Sequence, residues 1–357
     1  MIYRPLLQEL LFAYGPCGQE DAVRDICRRE LTPVVDETWT DPAGNVIGLV
    51  RGGSSESDAP AVRVMAHMDE LSMLVKRIDA DGTIHLTPLG TMYPGNFGLG
   101  PVAILGRHTT VCGVVALGSE HTTQESSRIW RTKPDHGDKA LDWPDVYVFT
   151  GLDATALRQA GIEPGTRVCV DRTRRTVVDV GHDYLGCYFL DDRAAVTALL
   201  CAARDLSAGP APAGDVYLVF TTDEEVGGVG GGYASRTLPG ELTLALEVGP
   251  TEPEYGTQVG GGPIVAYSDA LCVYDKAVAD RLMDVADELG LAPQAAVLGA
   301  FESDASHAKA GGHTPQAGLL CLPTLSTHGY EVIATSAIPA MVSVLTEFLR
   351  NLRRPAD

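Results

Sequence analysis

The chain has 357 residues, and its 27 Lys+Arg against 47 Asp+Glu leave a formal net charge of −20. That length suggests about two domains, with room for one to be inserted in the other, and a core large enough to fold without a disulfide or metal staple. With 45% hydrophobic and 21% charged residues the composition is that of a globular protein, and the acid excess excludes nucleic acid and anionic membrane surfaces as expected partners.

Met1–Ala13 mixes Arg4, Gln8 and Glu9 into its apolar residues, unlike a signal peptide. No apolar run approaches the roughly 20 residues of a membrane span. The eight cysteines form no CxxC pair, and several, such as Cys201 and Cys321, sit in apolar runs. The expectation is a cytoplasmic protein with reduced, buried thiols.

Helical spacing over Leu6–Leu31 is broken at Gly15-Pro16-Cys17-Gly18, which predicts two helices. Val34–Val50 reads as strands around a turn at Asp41–Asn45. Val62, Val64 and Ala66 alternate into a strand that stops at His67-Met68-Asp69-Glu70. From Ser72 to Arg175 short β-like runs alternate with Gly, Pro and Asp turns, and Ala154–Ala160 alone looks helical. After Val180 helices are expected over Arg193–Leu206, Lys276–Leu289 and Ile338–Leu352, with strands at Val216–Thr222, Leu242–Val248 and Leu319–Leu322. In the closing helix Ile338, Val342, Leu345 and Leu349 share a face, Pro339 suits the first turn, and Arg350, Arg353 and Arg354 complement the dipole. The predicted fold class is α/β, a mixed-sheet domain interrupted by a small β-rich insert.

Acids and histidines fall where the apolar strands end: His67-x-Asp69, Asp191-Asp192 after Tyr188–Leu190, Asp223-Glu224-Glu225, Glu247, and His328 beyond Leu319–Leu322. Ligands of open α/β sheets bind beyond the carboxyl ends of strands, so these groups are placed to converge. Two histidines with several carboxylates suit zinc, cobalt or manganese. One carboxylate can bridge two metals, with a His and a second carboxylate completing each. Asp69 is spaced to bond the non-ligating nitrogen of His67. On an extended segment Glu224 and Glu225 point in opposite directions, one to a metal and the other to water as general base. Singly, each of these residues is more often structural; five clusters at five strand ends are harder to dismiss. Gly227–Gly232 fits neither a dinucleotide fingerprint nor a Walker loop, and reads as close backbone approach at a crowded site. His85, His108, His136 and His182 have no companion pattern. His121 is read as a surface residue, with reach toward a neighbouring subunit's site as the other option.

Taken in order, Tyr14-Gly15-Pro16-Cys17-Gly18-Gln19-Glu20, Ala66–Leu71, Gly161–Gly165, Leu190-Asp191-Asp192-Arg193, Asp223–Gly227, Gly260-Gly261-Gly262-Pro263, Ser303-Asp304-Ala305, Pro323-Thr324 and His328 resemble the M42 family of metallo-aminopeptidases. The resemblance runs over nearly the whole chain. It implies two divalent ions held by His67, Asp191, Glu225, Glu247 and His328, with Asp191 bridging, Glu224 as general base and Asp69 orienting His67. It implies a catalytic domain of residues 1–71 and 177–357 and a dimerisation insert of residues 72–176, with dimers assembling into tetrahedral dodecamers. The implied activity is release of N-terminal residues from short peptides. Three departures stand out. Glu247 replaces the family's usual Asp, which brings in a carboxypeptidase or a deacylase of N-acylated small substrates as the alternative. Glu302 adds a carboxylate near the expected substrate pocket, where it would favour a free amine. Leu325-Ser326-Thr327 precedes the last ligand, and Ser72 stands where Gly is usual. A silent metal-binding protein and a glucanase are the less favoured readings, the latter because a two-metal centre suits carbonyl addition and not the paired-carboxylate chemistry of glycosides.

Overall fold

The computed structural model describes residues 3–53, 59–133, 137 and 139–352. His136, Arg353 and Arg354 lie outside the described residues. The chain divides into two compact units, Met1–Glu70 with Val177–Thr327 and Glu331–Asp357, and Leu71–Thr176 with His328–Tyr330.

The first unit is built on an 11-stranded mixed sheet. Its centre is the Val62–His67 strand, which pairs in parallel with Val216–Thr221 on one side and Leu242–Pro250 on the other. Gln316–Leu325 continues the parallel run beyond Leu242–Pro250, and Tyr330–Ala334 then joins antiparallel to it. Central parallel strands are covered on both faces, so every residue of Val62–His67 is buried and not only the alternate ones. Even Arg63 is enclosed. Its guanidinium donates to Thr243 Oγ1, Leu238 O and Thr314 Oγ1 at 2.9–3.0 Å, which ties three segments to the start of the strand.

Helices Arg4–Phe12 and Asp21–Leu31 flank a longer break than Gly15–Gly18 alone. The closing helix, Ala337–Arg350, buries Ile338, Val342, Leu345 and Leu349 as its spacing predicts. Leu190–Ala208 is almost wholly enclosed. The expectation of a strand over Tyr188–Leu190 is corrected here: the strand ends at Tyr188 and Leu190 already opens the helical segment. Phe189 turns the chain at φ 65°, and Asp191 and Asp192 keep non-helical angles before the regular helix begins. The glycine run also differs, because Gly230–Gly232 lie in a helix, Val229–Thr237. Close approach is the reason for glycine there. A Cβ on Gly230 would meet Asn45 Oδ1 and Thr222 O well inside 3.0 Å, and one on Gly231 would meet the Asp304 carboxylate just as closely.

In the second unit six strands, Ser72–Ile78, Ile84–Leu89, Tyr147–Phe149, Thr110–Ala116, Gly100–Leu105 and Arg167–Val170, close into a barrel in that order. Met73, Val75, Ile84, Leu86, Val102, Ile104, Val148 and Val168 fill it. Short helices at Pro94–Phe97 and Ser127–Thr132 join the expected Ala154–Gln159, too short and irregular to show a helical period. All eight cysteines are free thiols, but Cys112 is exposed and Cys201 and Cys272 are half-buried. Among the described residues no helix is long and apolar enough to cross a membrane.

Candidate metal centre

The central strand delivers His67 at its carboxyl end, opposite Thr221 of the neighbouring strand. Its ring is buried. Nε2 faces Asp191 Oδ1 at 3.1 Å and Glu247 Oε2 at 3.7 Å. Nδ1 faces the main-chain oxygen of Asp69 at 3.1 Å, with the Asp69 carboxylate a longer 3.6 Å away. The ring therefore meets Asp69 more closely at its carbonyl than at its carboxylate. The carboxylate turns to the backbone instead, where Oδ1 accepts the Glu224 N–H at 3.0 Å and Oδ2 the Glu225 N–H at 3.1 Å.

Those two bonds hold the segment that carries the paired glutamates. That segment is not extended, as the spacing argument assumed. Asp223 has φ 52°, and the Glu224 carbonyl accepts the N–H groups of both Gly227 and Gly228 at 2.9 Å. Glu224 is buried and Glu225 half-buried. Glu247 lies inside its strand and not at the end of it, paired across to Cys321. The adjacent Asp192 is fully buried, and its Oδ2 accepts the His67 N–H at 3.1 Å.

One ligand atom from each of His67, Asp191, Asp192 and Glu247 lies within 4.8 Å of the others. Burial, reinforced by neighbouring carboxylates, holds Asp192, Glu224 and Glu247 well above the usual carboxylate range. Burial opposes a charge on His67, but Glu247, Asp191 and Asp69 outweigh it and raise its pKa well above the ordinary value. For Asp69 the His67 ring and the two backbone N–H groups overcome burial, and its pKa is lowered. So many buried acids facing one imidazole call for a cation. Imidazole nitrogen with carboxylate oxygens is a donor set that divalent zinc, cobalt and manganese accept. Asp192 Oδ1, buried and without a hydrogen bond, supplies an acceptor such an ion would satisfy. The residues present fit a divalent metal.

His328, the last expected ligand, sits at φ 58° and packs with the second unit, its Nδ1 3.0 Å from Thr91 O. Glu302 is half-exposed, but its carboxylate is engaged by His307 Nε2 at 3.0 Å, so it is not a bare acid awaiting an amine. His121 is exposed. Ser72 is fully buried at the start of a barrel strand, its hydroxyl without a hydrogen bond. Sequence reasoning assigned no role to Asp192, to Cys17, whose Sγ donates to Asp69 Oδ2 at 3.2 Å, or to Asp304. Asp304 accepts from Thr221 Oγ1 at 2.5 Å, and burial pushes its carboxyl up to about 6. Each lies in a motif already singled out, so the motifs were the available signal.

A buried His/Asp/Glu cluster able to hold a metal, gathered at the carboxyl side of an α/β sheet, is a setting suited to metal-assisted hydrolysis. The family model for M42 glutamyl aminopeptidase matches residues 44–344, and the chain belongs to that peptidase family; it is a hydrolase of the aminopeptidase class. It is 28% identical over 250 residues to a lysyl aminopeptidase of Pyrococcus furiosus, covering 70% of this chain and 67% of that one. Its fold matches an aminopeptidase of the archaeon Desulfurococcus kamchatkensis with TM-score 0.86 at 23% identity, covering 98% and 95% of the two chains. It also matches the Pyrococcus horikoshii TET1 peptidase, described as assembling into a tetrahedron or a large octahedral shell, with TM-score 0.81 at 21% identity over 96% and 98%.

Proposed function

We propose that the protein is a dinuclear-metal aminopeptidase that releases N-terminal residues from short peptides. The observation that carries the reading is the Asp69 carboxylate, which holds the Glu224 and Glu225 N–H groups beside the buried His67–Asp191–Glu247 cluster. His67, Asp191, Glu225, Glu247 and His328 would hold the ions; zinc, cobalt and manganese all suit the donors. When bound, such ions supply Lewis acidity to a carbonyl and make hydroxide available near neutral pH.

The chain's own residues do the rest. Glu224, buried and with its carboxyl held well above the usual range by burial, takes the proton of the attacking water and returns it to the leaving amine. Asp69 fixes Glu224 through the peptide N–H and aims His67 through its own carbonyl. Asp192 braces the His67 main chain. The protein works as a homo-oligomer, a reading that the assembly of the TET1 relative supports; in the same reading it is cytoplasmic and residues 72–176 are its dimerisation unit.

The test is mass-spectrometric cleavage of one short peptide and its N-acetylated twin by cobalt- or zinc-loaded protein. Trimming of the free-amine peptide alone, from its N-terminus, is expected. Cleavage of the acetylated twin alone would overturn the reading in favour of a deacylase or blocked-substrate enzyme, with Glu247 as its cause.

A further inference from the structure

The early Tyr14–Glu20 motif takes no part in the mechanism above, yet it runs directly along Met68–Glu70, the residues that follow His67. The Glu70 N–H donates to Gly15 O at 2.9 Å, and Pro16 and Glu70 form a parallel bridge. Gly15 is packed so closely that a Cβ there would lie 2.7 Å from Arg193 Nη2 and 3.1 Å from Met68 O. Gly18, at φ 73°, turns the chain back, and the Gln19 N–H closes the turn onto Pro16 O at 2.8 Å. The loop is thus fixed by its main chain, with a thiol aimed at Asp69: Cys17 Sγ lies 3.2 Å from Oδ2.

From this geometry we infer that Cys17 is a positioning residue for the aminopeptidase reaction, a buried thiol donor that fixes the Asp69 carboxylate on the N–H groups of Glu224 and Glu225. The inference rests on the assignment of Glu224 as proton shuttle. Oδ2 receives both the Cys17 thiol and the Glu225 N–H. Without the thiol, the carboxylate is restrained on this side by the two backbone N–H groups alone, and its hold on the Glu224–Glu225 segment weakens. Burial, with Asp69 beside it, pushes the Cys17 pKa far up, so the sulfur keeps its proton and acts as donor. Hydrogen bonds to charged groups contribute more than neutral ones, although a thiol is a weak donor.

The experiment compares wild type, Cys17→Ala, Cys17→Ser and Glu224→Gln, equally metal-loaded, on one free-amine peptide, with metal content and thermal melting measured alongside. Cys17→Ala is expected to lower kcat about tenfold with KM and metal content unchanged, and Cys17→Ser to recover most of that loss by restoring a donor. Equal kcat in Cys17→Ala, Cys17→Ser and wild type, with Glu224→Gln inactive, would overturn the inference and leave Cys17 a packing residue. Full turnover by Glu224→Gln would instead remove the proton-shuttle reading itself. Should Cys17→Ala not fold, Cys17→Val removes the donor while filling the site, and the same comparison with Cys17→Ser decides.

Discussion

Replacing Arg193 by Met should destabilise the protein by about 5–7 kcal/mol. Arg193 and Glu70 are both fully enclosed, their Nη2 and Oε2 2.9 Å apart. The same guanidinium donates to Leu10 O at 3.2 Å and to Met68 O, and lies 3.4 Å from Asp69 O. It thus joins the first helix to the segment that follows His67. Removing one partner of a buried pair costs about 3–5 kcal/mol because the other charge is left behind, and each carbonyl that loses its donor adds about 1 kcal/mol. Against a total of about 5–15 kcal/mol, that is a large fraction. The assay is equilibrium urea unfolding of wild type, Arg193→Met, Glu70→Gln and the double variant, at fixed metal and protein concentration. The double variant should cost about 2–3 kcal/mol less than the sum of the singles, since neutral Gln needs no counter-charge. A cost below about 1 kcal/mol for Arg193→Met would refute the reasoning.

Three further outcomes are expected. Gly231→Ala drives a Cβ into the Asp304 carboxylate, well inside 3.0 Å. Overpacking should outweigh the better helix propensity of Ala and lower stability by about 1–3 kcal/mol, whereas a raised melting temperature would contradict the packing. Burial raises the Glu20 carboxyl to about 7 from 4.5, so the folded chain holds a proton there that the unfolded chain releases. That contribution is full below the unfolded pKa and is lost as pH rises through the folded value. Over the window it amounts to at most about 3 kcal/mol. Glu20→Gln should therefore gain on wild type between pH 5 and pH 8 in paired urea titrations; a difference independent of pH would contradict the linkage. Glu224→Gln should keep its metals and lose about 10²–10⁴ in kcat, measured by metal analysis beside peptide turnover.

The clustering of His67 and several acids was legible because these residues follow apolar runs that read as buried strands. His67 and Asp69 follow Val62–Ala66, and Glu224 and Glu225 follow Val216–Thr222. Local backbone was less legible. Asp191 and Asp192 read as a strand end, but the positive φ of Phe189 and the non-helical angles of both acids turn them into the entry of a long helix. Glycines 230–232 read as close backbone approach but not as helix, which glycine disfavours. What outweighs that preference is the absence of room for any side chain against Asn45, Thr222 and Asp304, which only the tertiary structure reveals. Glu302 looked like an open acid, since its partner, His307, lies one helix turn onward and could not be assigned from spacing. The double use of Asp69, by carbonyl toward His67 and by carboxylate toward the Glu224–Glu225 backbone, has no sequence signature at all.

The central claim is most directly tested by counting divalent ions per chain, by plasma mass spectrometry, in protein whose peptide turnover is measured before and after chelation. The account predicts two ions per chain, turnover lost when they are removed, and turnover restored by zinc, cobalt or manganese. Protein stripped of metal that still releases N-terminal residues at its original rate would contradict it.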